Sequence, residues 1–521
     1  MTSQSAVMDM GQLVRQQAAA RGDQVAFVFA NRTTTYAELD LRTNRVANGL
    51  RGLAPGAQRR VALLDKNSDT FYEVWFGAAK SAHVLAPVNW RLAPAEVAYI
   101  LNDALAEVLF VGEEFLPLVT QILPELRSVH RIIALSGEHP EWEAYATWRD
   151  RQDSTDPEVP IGADGVVLQL YTSGTTGHPK GALITHANLS AALEAAPEWY
   201  PCSATDVNLL CMPQFHIAGA FVGMLGAHAG ARTIISREPV PGELLRLIET
   251  ERVTITFLVP ALILFMLQAP GCDQVDFSSL RQLDYGASPV AADLLQQAVA
   301  RFKCAFGQLY GLTEVTGVAT YLPPQDHTSV GSPRMRSCGK PINGMEIKVV
   351  DADDREVSTG EVGEIVLRSQ QVFPGYWNLP EASANAIRGG WLHTGDAGFF
   401  DADGYLYVYD RVKDMIVSGA ENIYPAEVES ALFGHVAVGD VAVIGVPDDR
   451  WGEAVKAIVV LKPGAAASEA ELIAFCRDRI AHFKAPKSVD FAESLPRNAS
   501  GKLLKRVLRA PYWAGRERQI N

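Results

Sequence analysis

The sequence predicts a layered α/β protein: a large N-terminal domain of mostly parallel sheets flanked by helices, with a small β-barrel-like part, and a smaller α+β C-terminal domain. Three observations predict it. Over the first four-fifths of the chain, short apolar runs of strand length alternate with helical stretches, the pattern of βα units. After about residue 340 the strands are separated by turn-rich segments such as DADDREVSTGEV rather than by helices. Beyond Asp410 the chain has strands and a helix of its own, with enough apolar residues for a separate core.

Taken in order, Val61–Leu64 and Val84–Pro87 read as short buried strands with a helix over Asp69–Ser81 between them. Val108–Val111, Ile132–Leu135, Val166–Leu170, Thr233–Ser236 and Thr254–Val259 continue the strands, and Leu244–Glu251 and Leu294–Phe302 are helical. Glu346–Asp351, Gly363–Leu367 and Tyr405–Tyr409 form the second style of strand. Val441–Val446, Ala457–Leu461 and the helix Glu469–Ile480 complete the C-terminal part. The boundary falls at Asp410–Lys413, where the charged DRVKD stretch leaves the preceding strand, giving domains 1–410 and 411–521. Neither an internal repeat nor a low-complexity run is visible.

Length and composition bound the function. The chain has 521 residues, 48% hydrophobic and 20% charged, an ordinary globular composition with room for a large core. A net charge of −14 argues against general nucleic-acid binding, which needs basic patches. Cys202, Cys211, Cys272, Cys304, Cys338 and Cys476 lack C-x-x-C spacing, so neither a disulfide framework nor a zinc site is expected. The polar N-terminus MTSQSAVMDMGQ is not a secretory signal, and no uncharged apolar run reaches membrane-span length. A cytoplasmic protein is expected; peripheral membrane contact and a homodimer are left open.

Four motifs carry chemistry. In YTSGTTGHPKGA, Tyr171–Ala182, the hydroxyls of Thr172, Ser173, Thr175 and Thr176 alternate with Gly174, Gly177 and Gly181, and Lys180 closes the run. Glycine-permitted turns aim successive backbone N–H groups one way, and with hydroxyl donors and a cation they suit a polyphosphate. The Walker pattern does not fit, because His178 and Pro179 separate Gly177 from Lys180. A flexible Ser/Gly surface loop is the plain alternative.

YGASPV at Tyr285–Val290 and QLYGLTE at Gln308–Glu314 place an aromatic, a glycine and small polar groups at strand ends, where open α/β sheets bind ligands. Tyr310 could stack on a planar ring; Thr313 and Glu314 suit a phosphate and a hard Mg²⁺ ion. Turns or helix caps are the plain reading of such pairs. Asp396, in a TGD turn, could accept from two ribose hydroxyls, with Asp410 and Arg411 after the next strand. An Asx-turn and a surface ion pair compete with that reading. PRNASGK at Pro496–Lys502, alone, is a turn with a solvated lysine.

These blocks, in this order over nearly the whole chain, together with TYAELD at Thr35–Asp40, MPQFHIAG at Met212–Gly219 and SGAENIYPAEVE at Ser418–Glu429, resemble the adenylate-forming superfamily. It comprises acyl-CoA synthetases, peptide-synthetase adenylation domains and luciferase; the fatty-acyl-CoA ligases are the nearest likeness. The resemblance implies an AMP-forming acid–thiol ligase using ATP, Mg²⁺ and coenzyme A. Thr172, Ser173, Gly174, Thr175, Thr176, Gly177 and Lys180 would hold the β- and γ-phosphates. Gly286, Ala287 and Ser288 would line the adenine, with Tyr310 and Gly311 against it. Thr313 would contact the α-phosphate, Glu314 and Thr175 the metal, and Asp396 and Arg411 the ribose. Lys502 matches the lysine that bridges the substrate carboxylate and the α-phosphate.

The resemblance further implies that the small domain is mobile and rotates between half-reactions about a hinge at Lys413, bringing in a CoA face at Ser418, Gly419, Ala420 and Glu421. Ala420 stands where the family usually has a second glycine. His216 would gate the thiol's approach, although a histidine among apolar neighbours is often simply a satisfied core residue. Phe215, Ala218, Val222, Val259 and Pro260, with Gly286 and Gly311, would form an acyl pocket without a cation, so an apolar acid is expected: a medium- or long-chain fatty acid first, an aryl acid second. Two alternatives are an enzyme that loads a separate carrier protein and a nucleotide-binding scaffold with a decayed site.

Overall fold

The computed structural model describes residues 7–135, 139–172, 179–288, 290, 292–327, 333–411, 414–418, 421–448, 450–497 and 503–514, with backbone only at 292–293, 333, 409–411, 417 and 421–422. Among the described residues the chain builds a large N-terminal α/β part and a smaller C-terminal domain from four sheets. One sheet has nine strands, in the spatial order Lys340–Pro341, Thr320–Leu322, Ala305–Tyr310, Gln282–Gly286, Ile255–Leu258, Val207–Leu210, Arg232–Ile235, Val25–Phe29 and Arg32–Thr35. Its interior pairs are parallel and its edges antiparallel. A second sheet has seven strands: Glu143–Ala144, Arg131–Ala134, Ala106–Val111, Arg60–Leu64, Val84–Pro87, Val166–Thr172 and Lys180–Thr185. It is parallel apart from its last pair.

The strands lie where the apolar runs predict. Arg60–Leu64 and Val84–Pro87 are buried along their whole length, as expected of parallel strands covered on both faces. The helix between them runs over Thr70–Lys80, with the Asp69 carboxylate capping it. TYAELD is a capping box: the Thr35 hydroxyl accepts from the Glu38 amide and the Glu38 carboxylate from the Thr35 amide, starting the helix Tyr36–Leu53.

After residue 340 the architecture becomes antiparallel. Glu346–Val350, Gly363–Arg368, Trp391–Phe400 and Ile387–Arg388 pair in that order, with Leu406–Arg411 also on Trp391–Phe400. The C-terminal sheet orders Glu421–Ile423, Ile416–Ser418, Gly452–Leu461 and Val438–Asp448, with Ser488–Phe491 parallel to Gly452–Leu461. The helix Glu469–Arg477 stops three residues short of the sequence expectation, where its C-cap Asp478 closes the last turn. Its two apolar clusters draw only on residues from Ile416 onward, whereas the main core runs from Met10 to Leu406. No described helix is long and apolar enough to cross a membrane. All six cysteines are unpaired.

Charged side chains tie the helices of the N-terminal part together beneath the surface. Glu73 is 2% exposed and accepts from Arg42 and Arg149, each at 2.9 Å, and from the Tyr145 hydroxyl at 2.9 Å. Lys80 is fully buried and donates to Asn44, with Asp40 beside it. Removing one member of such a set leaves the others desolvated and uncompensated. Glu73→Ala is expected to lower stability by about 3–5 kcal/mol, read as a lower denaturant midpoint; a change under about 1 kcal/mol would mean that water reaches the two arginines.

Candidate active site

The two strands Gln282–Gly286 and Ala305–Tyr310 are parallel neighbours, with Gly286 opposite Leu309. The segments that leave them, 287–290 and 311–316, therefore emerge side by side at their carboxyl ends. Ala287 adopts φ +68° and Thr316 φ +58°, left-handed conformations uncommon for residues with a Cβ. Such strain persists where the surrounding structure holds it, and often at functional sites. Gly286 and Gly311 are tight positions: a Cβ would overlap the Leu309 carbonyl oxygen at the first and the Gly317 carbonyl oxygen at the second. Thr313 opens a single turn, Thr313–Val315, and Thr313, Glu314 and Ser288 are half-buried.

Two tyrosine–carboxylate bonds cross this end of the sheet. Tyr310 donates to Asp396 at 2.7 Å, and Asp396 is 7% exposed. Tyr376 donates to Glu314 at 2.7 Å, and the Phe373 amide donates to the Glu314 carbonyl at 2.9 Å. Asp396 and Arg411 face one another across the pair Trp391–Phe400 and Leu406–Arg411. The TGD turn is an ST-type bend, with the Asp396 amide on the Thr394 hydroxyl at 3.0 Å.

The Gly-rich motif is a hairpin connection between Val166–Thr172 and Lys180–Thr185, with Thr172 opposite Lys180. Ser173, Gly174, Thr175, Thr176 and Gly177 lie outside the described residues. The stem is locked from below. Tyr171 donates to Asp103 at 2.7 Å and accepts from Gln169 at 3.0 Å; Gln169 in turn accepts from Arg60 at 3.2 Å. The Arg60 guanidinium lies 3.5 Å from the centre of the Trp377 ring, and burial lowers its pKa to about 10. The Lys180 ammonium lies 5.2 Å from the centre of the Tyr376 ring, so one tyrosine faces both the cation of the loop and the Glu314 carboxylate.

An apolar cavity of about 90 Å³ opens beside Gly311. Ala218, Val222, Ala287 and Gly311 line it, as do Trp199, Tyr200, Phe221 and Phe257. Phe215, Val259, Pro260 and Gly286 are buried but are not on its wall. Phe215 packs edge-on against Trp90 instead, and Val259 and Pro260 start the helix Pro260–Gln268. Sequence reasoning missed the aromatic wall, because Trp199 and Tyr200 sit just past a one-turn helix, Ala196–Glu198, with no motif around them. It also missed Tyr376, whose only signal is an aromatic pair after Gly375 in an otherwise irregular stretch.

His216 precedes the helix Ile217–Ala229 and its ring stands 4.7 Å from that of Phe215. Burial, and then the nearby Arg91 cation, lower its pKa to about 4, so the imidazole is neutral. Its Nε2 is out of water with no hydrogen-bond partner among the described residues. Of the remaining motif residues, Ser418 pairs with Glu421 in a hairpin and with Gly452 across the sheet. Lys413, Gly419, Ala420 and Lys502 lie outside the described residues.

Comparison with known proteins decides the family. The model of AMP-binding enzymes matches residues 14–377, and that of the AMP-binding enzyme C-terminal domain matches 427–502. The chain belongs to the AMP-binding enzyme family. It is 40% identical over 503 residues to the fatty acid–acyl-carrier-protein ligase ScoC of Streptomyces coeruleorubidus, covering 95% of each chain. It is 39% identical over 482 residues to a feruloyl-CoA synthase of an Amycolatopsis species, covering 92% of this chain and 94% of the other. The crystal structure of an anthranilate CoA ligase with anthranoyl-AMP superposes with a TM-score of 0.91 at 29% identity, covering 98% of both chains.

As a member of the family, the protein is an ATP-dependent, AMP-forming ligase of acids and thiols, of acyl- or aryl-CoA ligase type. The residues fit a magnesium ion delivered with the nucleotide. Among the described residues no three His, Cys, Asp or Glu side chains form a metal cage. Glu314 stands as a single carboxylate with Tyr376 on one of its oxygens, and the Lys180 ammonium lies over the same tyrosine ring. Mg²⁺ is commonly held by one or two carboxylates together with substrate phosphates.

The neutral histidines make stability pH-dependent. His216 and His186 both sit near pKa 4, through burial, against an ordinary value of 6.5. Between these values the unfolded chain takes up the protons and the folded chain does not. Stability is therefore complete above pH 6.5 and falls as pH drops toward 4. His216→Leu is expected to remove about 3 kcal/mol of that fall, measured as a shallower slope of denaturant midpoint against pH; an unchanged slope would show that His216 is already charged.

Proposed function

We propose that this enzyme activates a compact, largely apolar carboxylic acid as its acyl-adenylate and transfers the acyl group to coenzyme A. The observation that carries the reading is the aromatic-walled cavity opening at Gly311, one residue from Tyr310 and three from Glu314. An acid seated there brings its carboxylate beside the groups that would hold ATP. The cavity supports the second of the acids expected from the sequence, an aryl acid, over the first, a medium- or long-chain fatty acid: about 90 Å³ suits a compact acid better than a long alkyl chain. The names of relatives that act on ferulate and anthranilate support an aryl acid in particular.

In this reading a carboxylate oxygen attacks the α-phosphorus of ATP and pyrophosphate leaves. The thiol sulfur then attacks the acyl carbonyl and AMP leaves, the thiol proton passing to solvent. Thr172–Lys180 grips the departing pyrophosphate, Thr313 the α-phosphate, and Asp396 with Arg411 the ribose. Tyr310 and Gly286–Ser288 hold the adenine. Glu314, with Thr175, would bind the Mg²⁺, which supplies charge neutralisation of the phosphates. Lys502 stabilises negative charge as it builds on phosphorus. His216, neutral and apolar in its surroundings, gates the thiol path rather than moving protons.

The boundary at Asp410–Lys413 follows from the same scheme. Leu406–Arg411 is the last strand of the antiparallel sheet, and residues 411–521 carry Lys502 and the CoA face Ser418–Glu421. A cytoplasmic location accords with substrates made and used there. A second reading, loading of a carrier protein, is supported by the ScoC relative and by Ala420 where the family has glycine.

Incubation with a panel of aryl and short-chain acids, ATP, and either coenzyme A or a phosphopantetheinylated carrier protein distinguishes the readings. AMP and a CoA thioester are expected; pyrophosphate release with a thioester only on the carrier would replace CoA as the acceptor. Lys502→Ala is expected to slow pyrophosphate release by about 10²–10³-fold while sparing thioester formation from supplied acyl-adenylate. Equal loss in both half-reactions would contradict a lysine used in one conformation only.

A further inference from the structure

The strand Trp391–Phe400 does not run evenly beside Gly363–Arg368. Glu364 pairs with Ala397 and Val366 with His393, so Ile365 alone stands opposite Thr394, Gly395 and Asp396. The TGD turn is thus a bulge. Bulges break the ladder and re-aim the side chains they carry, often beside an active site. Gly395 takes φ +68°, a left-handed conformation that glycine adopts at no steric cost. The side chain re-aimed here is Asp396, whose carboxylate accepts from Tyr310 at 2.7 Å.

A bulge takes main-chain groups out of the ladder, and here side chains take them up. The Thr394 hydroxyl donates to the Ile365 carbonyl at 2.7 Å and accepts from the Asp396 amide at 3.0 Å. The Gly395 amide donates to Glu364 Oε1 at 3.0 Å. Glu364 Oε2 lies 2.9 Å from Nδ1 of His393, whose side chain is 6% exposed. The Arg388 guanidinium stands 2.8 Å from the same nitrogen and donates to Asp354 at 3.1 Å. A ring nitrogen makes one of those two bonds at a time: protonated it donates to Glu364, unprotonated it accepts from Arg388. The bond from Gly395 to Glu364 holds in either case. It anchors the residue immediately before Asp396.

We propose that Glu364 is a positioning residue: its carboxylate holds the Gly395 amide and so fixes the bulge that presents Asp396 to the ribose hydroxyls of ATP. This inference rests on the ribose role given to Asp396 above. Glu364 acts through Gly395 and not on the nucleotide. An amide–carboxylate bond is charge-assisted and among the stronger hydrogen bonds. Without it the Gly395 amide turns to water for a partner, and the carboxylate of the next residue loses its fixed direction. A binding group works only when held within about 0.5 Å of the productive geometry.

The test is calorimetric and needs no acid substrate. ATP and 2′,3′-dideoxy-ATP, which lacks both ribose hydroxyls, are titrated with Mg²⁺ into the full chain and its Glu364 variants. Wild type is expected to bind ATP at least about tenfold more tightly than the dideoxy analogue, and Glu364→Ala to lower that ratio at least about fivefold. General damage to the fold weakens both nucleotides alike and leaves the ratio in place. Glu364→Gln keeps the length and an acceptor oxygen, so its ratio is expected to fall less than about fivefold. Should Glu364→Ala not fold, Glu364→Asp, a methylene shorter, takes its place under the same criterion. With wild type at its expected ratio, a smaller fall in Glu364→Ala, or a fall in Glu364→Gln as large as the one expected of Glu364→Ala, overturns the Glu364 assignment alone. A smaller wild-type ratio removes the ribose role of Asp396 and this inference with it. Wild type that binds neither nucleotide sinks the acid-activating reading as well.

Discussion

Two backbone hydrogen bonds hold this site together. The Leu183 amide donates to the Gly375 carbonyl at 3.1 Å, and the Trp377 amide donates to the Gly181 carbonyl at 2.7 Å. They lay an irregular segment along the open edge of the seven-stranded sheet, with Ala182 and Tyr376 bridged. An unpaired edge is thereby covered, and three otherwise separate parts are put in register. The Gly-rich motif adjoins one end of the covered strand, at Lys180. Tyr376 reaches Glu314 in the turn that follows the strand Ala305–Tyr310 of the nine-stranded sheet. Trp377 packs over Arg60 and donates its indole N–H to the Asp103 carbonyl at 2.9 Å.

The polar groups around the seam are nearly all spoken for, and this separates the two kinds of buried chemistry. Glu73, Lys80, Arg60 and Tyr171 have satisfied partners and act as internal ties. His216 and Trp199 each keep a ring nitrogen dry, with no hydrogen-bond partner among the described residues. Orphaned groups are costly in a low-dielectric interior.

Much of the fold was legible in the sequence because parallel strands buried on both faces read as unbroken apolar runs. RVALL and VLAP are found within a residue of where they were expected. Strand and helix ends moved by a few residues, since caps such as Asp69 and Asp478 decide them locally. The polar motifs stand out in the sequence because glycines, hydroxyls and carboxylates cluster within each of them. The apolar cavity was not legible. Its wall collects Trp199, Phe221, Phe257 and Leu309 from four separate stretches, each apolar like any core residue. Phe215, Val259 and Pro260 share that composition yet face elsewhere. Tyr376 was missed for a related reason: its partner Glu314 lies 62 residues away.

The closeness of Gly311 to the Gly317 carbonyl has a consequence for how such a pocket can diversify. One face of the cavity is main chain pressed on main chain, which no side-chain substitution can reshape without opening the turn. Change of shape is left to the side chains that line the rest of the cavity, where exchanging an aromatic residue alters volume and polarity at once. Selection, natural or in the laboratory, then works on those side chains while this stretch of main chain stays fixed.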